Sequence, residues 1–254
     1  MPTKKLKNQN RVHLLDEIRG FAIICMVIYH AVYDFLTIFE IDFPFYYSGI
    51  MDFIVTVFVF AFVSISGAAC LYSHNNLKRG LICFLFGMLL TAVTYFILPE
   101  ELILFGILHM LGISMMIYAL LEKWINKINV YLLITISVII FIITYGISEG
   151  YIGFLTIEIF KLPKVLYETN FLYSLGFTNS TFYSADYFAL LPWLFAFLAG
   201  TGFGRLLKTN KMPKAFYNMH LKPLAFVGRN TLIIYIVHQP IIYVLMTVIH
   251  QLTT

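Results

Sequence analysis

Charged side chains are scarce in this chain: aspartate, glutamate, lysine and arginine together make up 12% of its 254 residues. An ordinary soluble protein has about twice that share, roughly 25%. Hydrophobic residues instead reach 60% of the sequence, and the mean hydropathy is +0.85. This balance excludes an ordinary soluble domain and predicts a polytopic membrane protein.

Cysteine is also scarce. Cys25, Cys70 and Cys83 all fall in apolar stretches, and their spacing is not that of metal ligands. We therefore expect neither a disulfide framework nor a zinc site, and no other metal site is indicated. The net charge of +4 does not predict a nucleic-acid partner, because its distribution along the chain reports membrane topology instead.

Seven apolar segments follow one another, each close to the roughly 20 residues that cross one bilayer. They lie near residues 13–38, 53–73, 78–98, 102–122, 129–147, 187–207 and 223–249. No small-residue cleavage site follows the basic start of the chain, so we expect the first segment to remain as an anchor. The predicted fold class is all-α, a polytopic membrane helix bundle of about seven transmembrane helices.

Basic and acidic residues divide between alternate connections. With the N-terminus in the cytoplasm, the inner connections carry Lys78, Arg79, Lys123, Lys127, Arg205, Lys208, Lys211, Lys214 and Lys222. The outer connections carry Glu40, Asp42, Asp52, Glu100 and Glu101. Because short cytoplasmic loops hold the excess of lysine and arginine, we predict a cytoplasmic N-terminus and a C-terminus outside.

The sequence contains no internal repeat or low-complexity segment, so we predict a single transmembrane domain over residues 1–254. Residues 1–12 would form a basic cytoplasmic tail, and residues 148–185 a long extracytoplasmic loop. Within that loop the aromatic stretch Tyr151–Phe160 is too short to span the bilayer. It predicts a further element that lies at the membrane interface.

The first apolar segment carries three ionisable residues, Arg19, His30 and Asp34. Ionisable groups inside a membrane helix are costly, and they usually mark a functional site that faces the protein interior. Eleven residues at about 100° each return His30 to within roughly 20° of the face of Arg19, and Asp34 follows one turn later. A carboxylate that orients an imidazole is typical of acyl-transfer sites. The alternative is a mutually satisfied polar pair that stabilises helix packing.

Two more histidines lie in apolar segments. Counted at about 1.5 Å per residue from the outer ends of their predicted helices, His30, His109 and His238 lie about 12, 10 and 16 Å deep. Three imidazoles at similar levels could carry proton chemistry near the outer face. For His109 the alternative is a structural histidine that bonds a neighbouring backbone carbonyl. Pro240 would bend the helix near His238 and free carbonyl groups there.

Arginines lie near the predicted cytoplasmic ends of the first and last segments, at Arg19 and Arg229. They could hold an anionic cofactor that approaches from the cytoplasm. Arg229 is nine residues from His238 and so about 180° out of phase with it on one helix. Either the last helix begins after Asn230, or Arg229 serves another neighbour.

An ordered set of motifs resembles a known family, the bacterial branch of the heparan-alpha-glucosaminide N-acetyltransferase catalytic domain family. The motifs are Leu15–His30 with Asp34, Gly106–His109, Leu191–Trp193, Gly202–Arg205 and Gly228–Pro240. The Arg-x10-His spacing of Arg19 and His30 is also similar to that of membrane O-acyltransferases that modify bacterial surface polysaccharides. The resemblance covers nearly the whole chain.

The resemblance implies a transmembrane acetyltransferase in a cell membrane, such as the bacterial cytoplasmic membrane. Acetyl-CoA would bind from the cytoplasmic side, and the acetyl group would pass to a hydroxyl or amine of an extracytoplasmic sugar or glycan. The expected partners are lipid, CoA and that acceptor, and a homodimer is compatible with the sequence. The expected catalytic residues are His30 as the base, Asp34 to orient it, and His109 and His238 to stabilise the oxyanion or position the acceptor. The expected CoA-binding residues are Arg19, Arg229, Arg205, Lys78 and Arg79.

The resemblance has one departure. Eukaryotic members place asparagine where His30 stands and draw their proposed catalytic histidine from the following loop, whereas residues 39–52 here contain no histidine. We therefore expect direct transfer rather than an acetyl-histidine intermediate. The alternative function is a small proton-coupled transporter or flippase that uses the histidine and aspartate residues as a relay. The absence of an inverted repeat from the sequence favours the acetyltransferase.

Overall fold

The computed structural model describes residues 12–169, 171–209 and 212–253. Eight α-helices lie in those ranges: α1 (His13–Ile38), α2 (Gly49–Cys70), α3 (Asn76–Ile97), α4 (Ile107–Ile125), α5 (Val130–Thr144), α6 (Leu190–Lys208), α7 (Lys222–Arg229) and α8 (Thr231–Thr253). A small antiparallel sheet pairs β1 (Tyr151–Phe154) with β2 (Ile157–Lys161). Every helix except the short α7 is long and apolar enough to cross a bilayer, if α5 is counted together with the 3-10 helix that extends it to Glu149.

The prediction of a helical bundle with seven spans is confirmed. The last predicted segment differs in detail, because it divides at Asn230 into α7 and α8. The N–H of Asn230 donates to the Val227 carbonyl at 2.9 Å, and the Asn230 carbonyl accepts from Ile234 at 3.1 Å. Arg229 therefore ends α7 and His238 belongs to α8, which is the first of the two arrangements considered above.

The expected interfacial element at Tyr151–Phe160 is a β-hairpin. Its second strand, Ile157–Lys161, places isoleucine on either side of Glu158, and this alternation of apolar and charged residues favours a strand over a helix. A Cβ atom on Gly153 would contact the Ile157 carbonyl, so the close pairing of the strands requires glycine there.

The chain forms two compact units. The first comprises Met1–Phe62 and Asn210–Thr254. It holds α1, the first part of α2, α7 and α8. The second comprises Val63–Thr209, and holds the rest of α2, α3 to α6 and the hairpin.

In the first unit, α8 packs parallel to α1. The rings of His30 and His238 lie 5.1 Å apart, and so do those of Phe39 and His250. Residue numbers increase together along both helices, so the two run in the same direction. The first and last of seven successive spans must cross a bilayer in the same direction, and this packing agrees with that requirement.

The second unit is built on close helix contacts at small residues. A Cβ atom on Gly112 of α4 would lie 2.8 Å from the Gly80 carbonyl oxygen of α3. Ser64 of α2 donates its hydroxyl to the Ala196 carbonyl of α6 at 3.0 Å, close to Gly200, whose Cβ would contact the Ser64 backbone. Small residues let membrane helices approach closely enough for such contacts.

Candidate functional site

Two histidine rings face each other inside the first unit. The rings of His30 on α1 and His238 on α8 meet edge to face, with centroids 5.1 Å apart and an interplanar angle of 61°. His238 is buried, at 7% exposure. The two predicted histidines on these helices are thus in contact, although 208 positions of sequence separate them.

His238 is held by its own helix. Its Nδ1 lies 2.6 Å from the Tyr235 carbonyl oxygen. A carbonyl can only accept a hydrogen bond, so Nδ1 carries the hydrogen and the lone pair of the neutral ring is on Nε2. The Tyr235 carbonyl thus orients His238 in the way that Asp34 was expected to orient His30.

Asp34 bonds to another residue. Gln239 donates its amide nitrogen to both carboxylate oxygens of Asp34, at 3.0 and 3.1 Å. Asp34 is 5% exposed, and among the described residues no hydrogen bond joins it to His30. The expected direct pairing is therefore wrong. Sharing a helix face one turn apart did not bring the two side chains into contact, and the amide on α8 reaches the carboxylate instead.

An aromatic segment folds back over this part of α1. Residues Pro44–Tyr47 form a 3-10 helix, and the buried Tyr46 hydroxyl donates to the Tyr29 carbonyl at 3.2 Å. The Tyr46 and Tyr29 rings stack at 4.9 Å, and the Tyr29 ring contacts His30 at 5.8 Å. Tyr29 lies nine residues before α1 ends, so the chain after α1 returns about 14 Å along the helix. Burial raises the pKa of Tyr46, and its contact with Tyr29 acts in the same direction.

Arg19 lies where α7 crosses the beginning of α1. Its guanidinium is 3.9 Å from the Asp16 carboxylate, and its side chain is 17% exposed. Gly20 and Gly228 allow the two backbones to meet there, because a Cβ on Gly228 would contact the Asp16 carbonyl and one on Gly20 would contact the Leu224 carbonyl.

Arg229 follows Gly228 directly, so both predicted arginines belong to this crossing. Its Nε donates to the Ala225 carbonyl one turn earlier, at 2.9 Å. The other end of α7 is capped by Glu17, a buried residue of α1. Glu17 Oε1 accepts from the backbone N–H groups of His220 at 2.7 Å and Leu221 at 3.0 Å.

His109 lies in the second unit and is 1% exposed. It is the third residue of α4, about 3 Å from the start of the helix, so the expected depth of about 10 Å is wrong. Its Nδ1 accepts from the Gly106 N–H at 3.2 Å, and its Nε2 lies 3.4 Å from the Thr91 hydroxyl. Because the ring lone pair is engaged in capping α4, a structural role is favoured over proton transfer.

The start of α4 receives a second cap from a distant carboxylate. Asp186 Oδ2 accepts from the Ile107 N–H at 3.1 Å, and a negative group is stabilising at a helix N-terminus. This contact explains why the helix begins at Ile107, several residues later than the apolar pattern suggests.

The remaining predicted cations are also in the second unit. Arg205 donates to the Ile128 carbonyl at 2.9 Å and to the Ile125 carbonyl at 3.5 Å, at the end of α4. Lys78 and Arg79 are exposed in the first turn of α3, which Asn75 caps by accepting from the Lys78 N–H at 2.8 Å. The geometry of Arg205 is that of a helix cap.

A comparison of the sequence with models of protein families identifies the family of this chain. The model described as "Heparan-alpha-glucosaminide N-acetyltransferase, catalytic" matches residues 11–240. The chain belongs to this family. No curated protein and no solved structure matches it in the other two comparisons.

The family match includes α1 to α7 and the first part of α8, and it ends at Pro240, directly after His238 and Gln239. The protein is thus a member of a membrane acetyltransferase family, with seven helices that can cross a bilayer. Among the described residues, no group of three or more histidine, cysteine, aspartate or glutamate side chains is arranged to hold a metal ion.

Three residues of the first unit that make these contacts were not predicted from the sequence. Gln239 is a polar residue beside a proline in an apolar segment, Glu17 is an acidic residue near the start of the first span, and Tyr46 belongs to an aromatic cluster after Pro44. Each is visible as an anomaly in the sequence, but its partner lies on another element and no sequence spacing identifies it.

Proposed function

We propose that this protein is an acetyl-CoA-dependent acetyltransferase that passes an acetyl group across the membrane to a hydroxyl or amine of an extracytoplasmic sugar or glycan. Family membership supports acetyl transfer over a proton-coupled transporter. The observation that carries the proposal is the contact between the His30 and His238 rings on two parallel membrane helices. We further propose that the chain acts as a single transmembrane domain in a cell membrane.

The CoA phosphates would lie at the crossing of α1 and α7. Arg19 and Arg229 both belong to this crossing, and arginine bonds phosphate well because its planar guanidinium can donate two parallel hydrogen bonds. The distribution of lysine and arginine among the loops favours a cytoplasmic location for this end of α1. The thioester would then extend along α1 toward His30, roughly 16 Å away.

His238 is the favoured general base, because the Tyr235 carbonyl fixes its tautomer with the lone pair on Nε2. The acceptor oxygen or nitrogen attacks the thioester carbonyl carbon while Nε2 takes its proton. The resulting tetrahedral oxyanion collapses, and the carbon–sulfur bond breaks. The CoA thiolate takes the proton from His238 and leaves as a thiol. His30, beside His238, would donate a hydrogen bond to the oxyanion.

The test is thiol release from acetyl-CoA by purified protein in lipid nanodiscs. Methyl α-D-glucosaminide and methyl α-D-glucoside serve as matched acceptors, since they differ in carrying an amine or a hydroxyl at one carbon. Loss of a general base typically lowers the rate by 10²–10⁴-fold, so we expect His238→Ala to lower kcat by at least about 100-fold. We also expect a large loss for His30→Ala.

The control is His74→Ala, which changes an exposed histidine between α2 and α3 and should leave the rate unchanged. Full activity in both His30→Ala and His238→Ala would contradict the proposed site. Absence of thiol release by the wild-type protein with either acceptor would contradict the proposed acceptor class.

A further inference from the structure

Gln239 lies next to the histidine pair, and the two ends of its side-chain amide have different surroundings. Its amide nitrogen contacts both oxygens of Asp34, whereas its amide oxygen Oε1 is buried and has no hydrogen-bond partner among the described residues. We propose that Gln239 is an acceptor-binding residue: its nitrogen is fixed by Asp34, and its oxygen accepts a hydrogen bond from the acceptor beside His238. This inference rests on the function proposed above.

The carboxylate determines which way the amide points. An ionised carboxylate only accepts hydrogen bonds, and an amide has one donating and one accepting end. Rotating the amide by 180° would place Oε1 against the two oxygens of Asp34. Asp34 is itself buried on α1, so it holds Oε1 of Gln239 in one direction, away from the carboxylate.

The buried Oε1 points to a ligand with a donor group. Buried polar atoms in proteins nearly always have a hydrogen-bond partner, because leaving one unpaired is costly. The acetyl thioester group itself has a carbonyl and a sulfur and carries no donor, and the nearest N–H of acetyl-CoA is an amide two carbons beyond the sulfur. A sugar hydroxyl or amine does carry donors. His238 contacts His30 and Gln239 contacts Asp34, so both side chains face α1 and the same acceptor molecule can reach both residues.

Asp34 is thus a positioning residue that acts through Gln239. This differs from a role as a base or as the partner of His30, and it predicts a rescue. In Gln239→Glu two carboxylates would face each other and repel, so activity should be lost. Adding Asp34→Asn would let the new asparagine amide donate to the new glutamate, restoring a bond between α1 and α8 with the opposite polarity.

The experiment measures the KM of both substrates separately, with methyl α-D-glucosaminide as the acceptor probe. Gln239→Met has similar length and no hydrogen-bonding groups, and we expect it to raise the KM for the glucosaminide about tenfold. The KM for acetyl-CoA should change by less than twofold. Gln251→Met, which makes the same change at an exposed position of α8, is the matched control and should change neither KM.

Four outcomes decide the proposal. A selective rise in the glucosaminide KM in Gln239→Met supports it, as does recovery of activity from Gln239→Glu to the double variant Asp34→Asn/Gln239→Glu. A Gln239→Met variant with lower thermal stability but an unchanged glucosaminide KM would overturn it in favour of a helix contact alone. An inactive Asp34→Asn variant that stays inactive in the double variant would assign Asp34 a direct chemical role and also overturn it. If the wild-type protein were inactive with both the glucosaminide and the glucoside, that result would instead contradict the proposed function.

Discussion

Replacing Glu17 with alanine should loosen α7 from α1 and so disturb the proposed CoA site. Glu17 is 4% exposed, and its Oε1 accepts the N–H groups of His220 and Leu221. These two N–H groups lie directly before α7, which begins at Lys222, and Arg229 lies at the other end of the same short helix. The cap therefore couples a buried acid on α1 to the position of an arginine on α7.

The magnitude depends on what replaces the lost bonds. Hydrogen bonds to a charged group contribute about 1.5–3 kcal/mol each, so two would give about 6 kcal/mol at most. His220 and Leu221 are exposed, and water can reach their N–H groups once Glu17 is gone. The loss should then approach the upper value for an ordinary helix cap, about 2 kcal/mol. For a protein of this size that corresponds to a fall in Tm of about 4–8 °C.

Thermal unfolding in detergent, followed by tryptophan fluorescence at one scan rate, tests this value. Glu17→Gln keeps an oxygen that can accept the same bonds and should lose about half as much, roughly 1 kcal/mol. Glu100→Gln, at an exposed position in the 3-10 helix Pro99–Glu101, is the control and should unfold like the wild type. If Glu17→Ala kept both its Tm and its CoA affinity, the reasoning about α7 would be refuted.

Three further predictions concern the arginines and Tyr46. Arg19→Gln and Arg229→Gln should each weaken CoA binding by about 10- to 100-fold in calorimetry, because each removes a charge-assisted bond to phosphate. The affinity of each variant should also depend less on salt concentration. Unchanged affinity in both variants would exclude the crossing of α1 and α7 as the CoA site. Arg205→Gln should lower the Tm by about 2–4 °C and leave CoA affinity within twofold, whereas a tenfold loss of affinity would show that it contacts phosphate. Burial raises the pKa of Tyr46, so its stabilising effect is complete below the unfolded tyrosine pKa of about 10 and is lost at higher pH. Between pH 9 and 11 the Tm of Tyr46→Phe should therefore fall less than the Tm of the wild type. An equal fall in both proteins would contradict the raised pKa of Tyr46.

Hydropathy predicted the membrane helices well, because bilayer thickness sets a minimum length for each apolar segment. Helix ends were predicted less well where a cap came from elsewhere in the chain. Asp186 begins α4 at Ile107 although the two residues are 79 positions apart, and the apolar run before Ile107 gives no sign of it. The division of the last segment at Asn230 was foreseeable only from the phase of Arg229 relative to His238.

The candidate site was predicted in part. The ionisable residues of the first span did identify the helix on which the histidine contact lies. Their mutual contacts did not follow, because the i to i+4 spacing of His30 and Asp34 fixes only a shared face. The actual partner of Asp34 is Gln239, which lies 205 positions away in the sequence. Such a contact depends on how α1 and α8 pack, and that packing cannot be read from either helix alone.

Transfer across a sealed membrane is the most direct test of the central claim. The protein is reconstituted into liposomes that contain methyl α-D-glucosaminide, radiolabelled acetyl-CoA is added outside, and the label on the enclosed sugar is counted. We expect labelled sugar to accumulate inside liposomes that hold the wild-type protein, and to stay at background with His238→Ala. Acetylation that occurs only when acetyl-CoA and the sugar are on the same side would contradict the account.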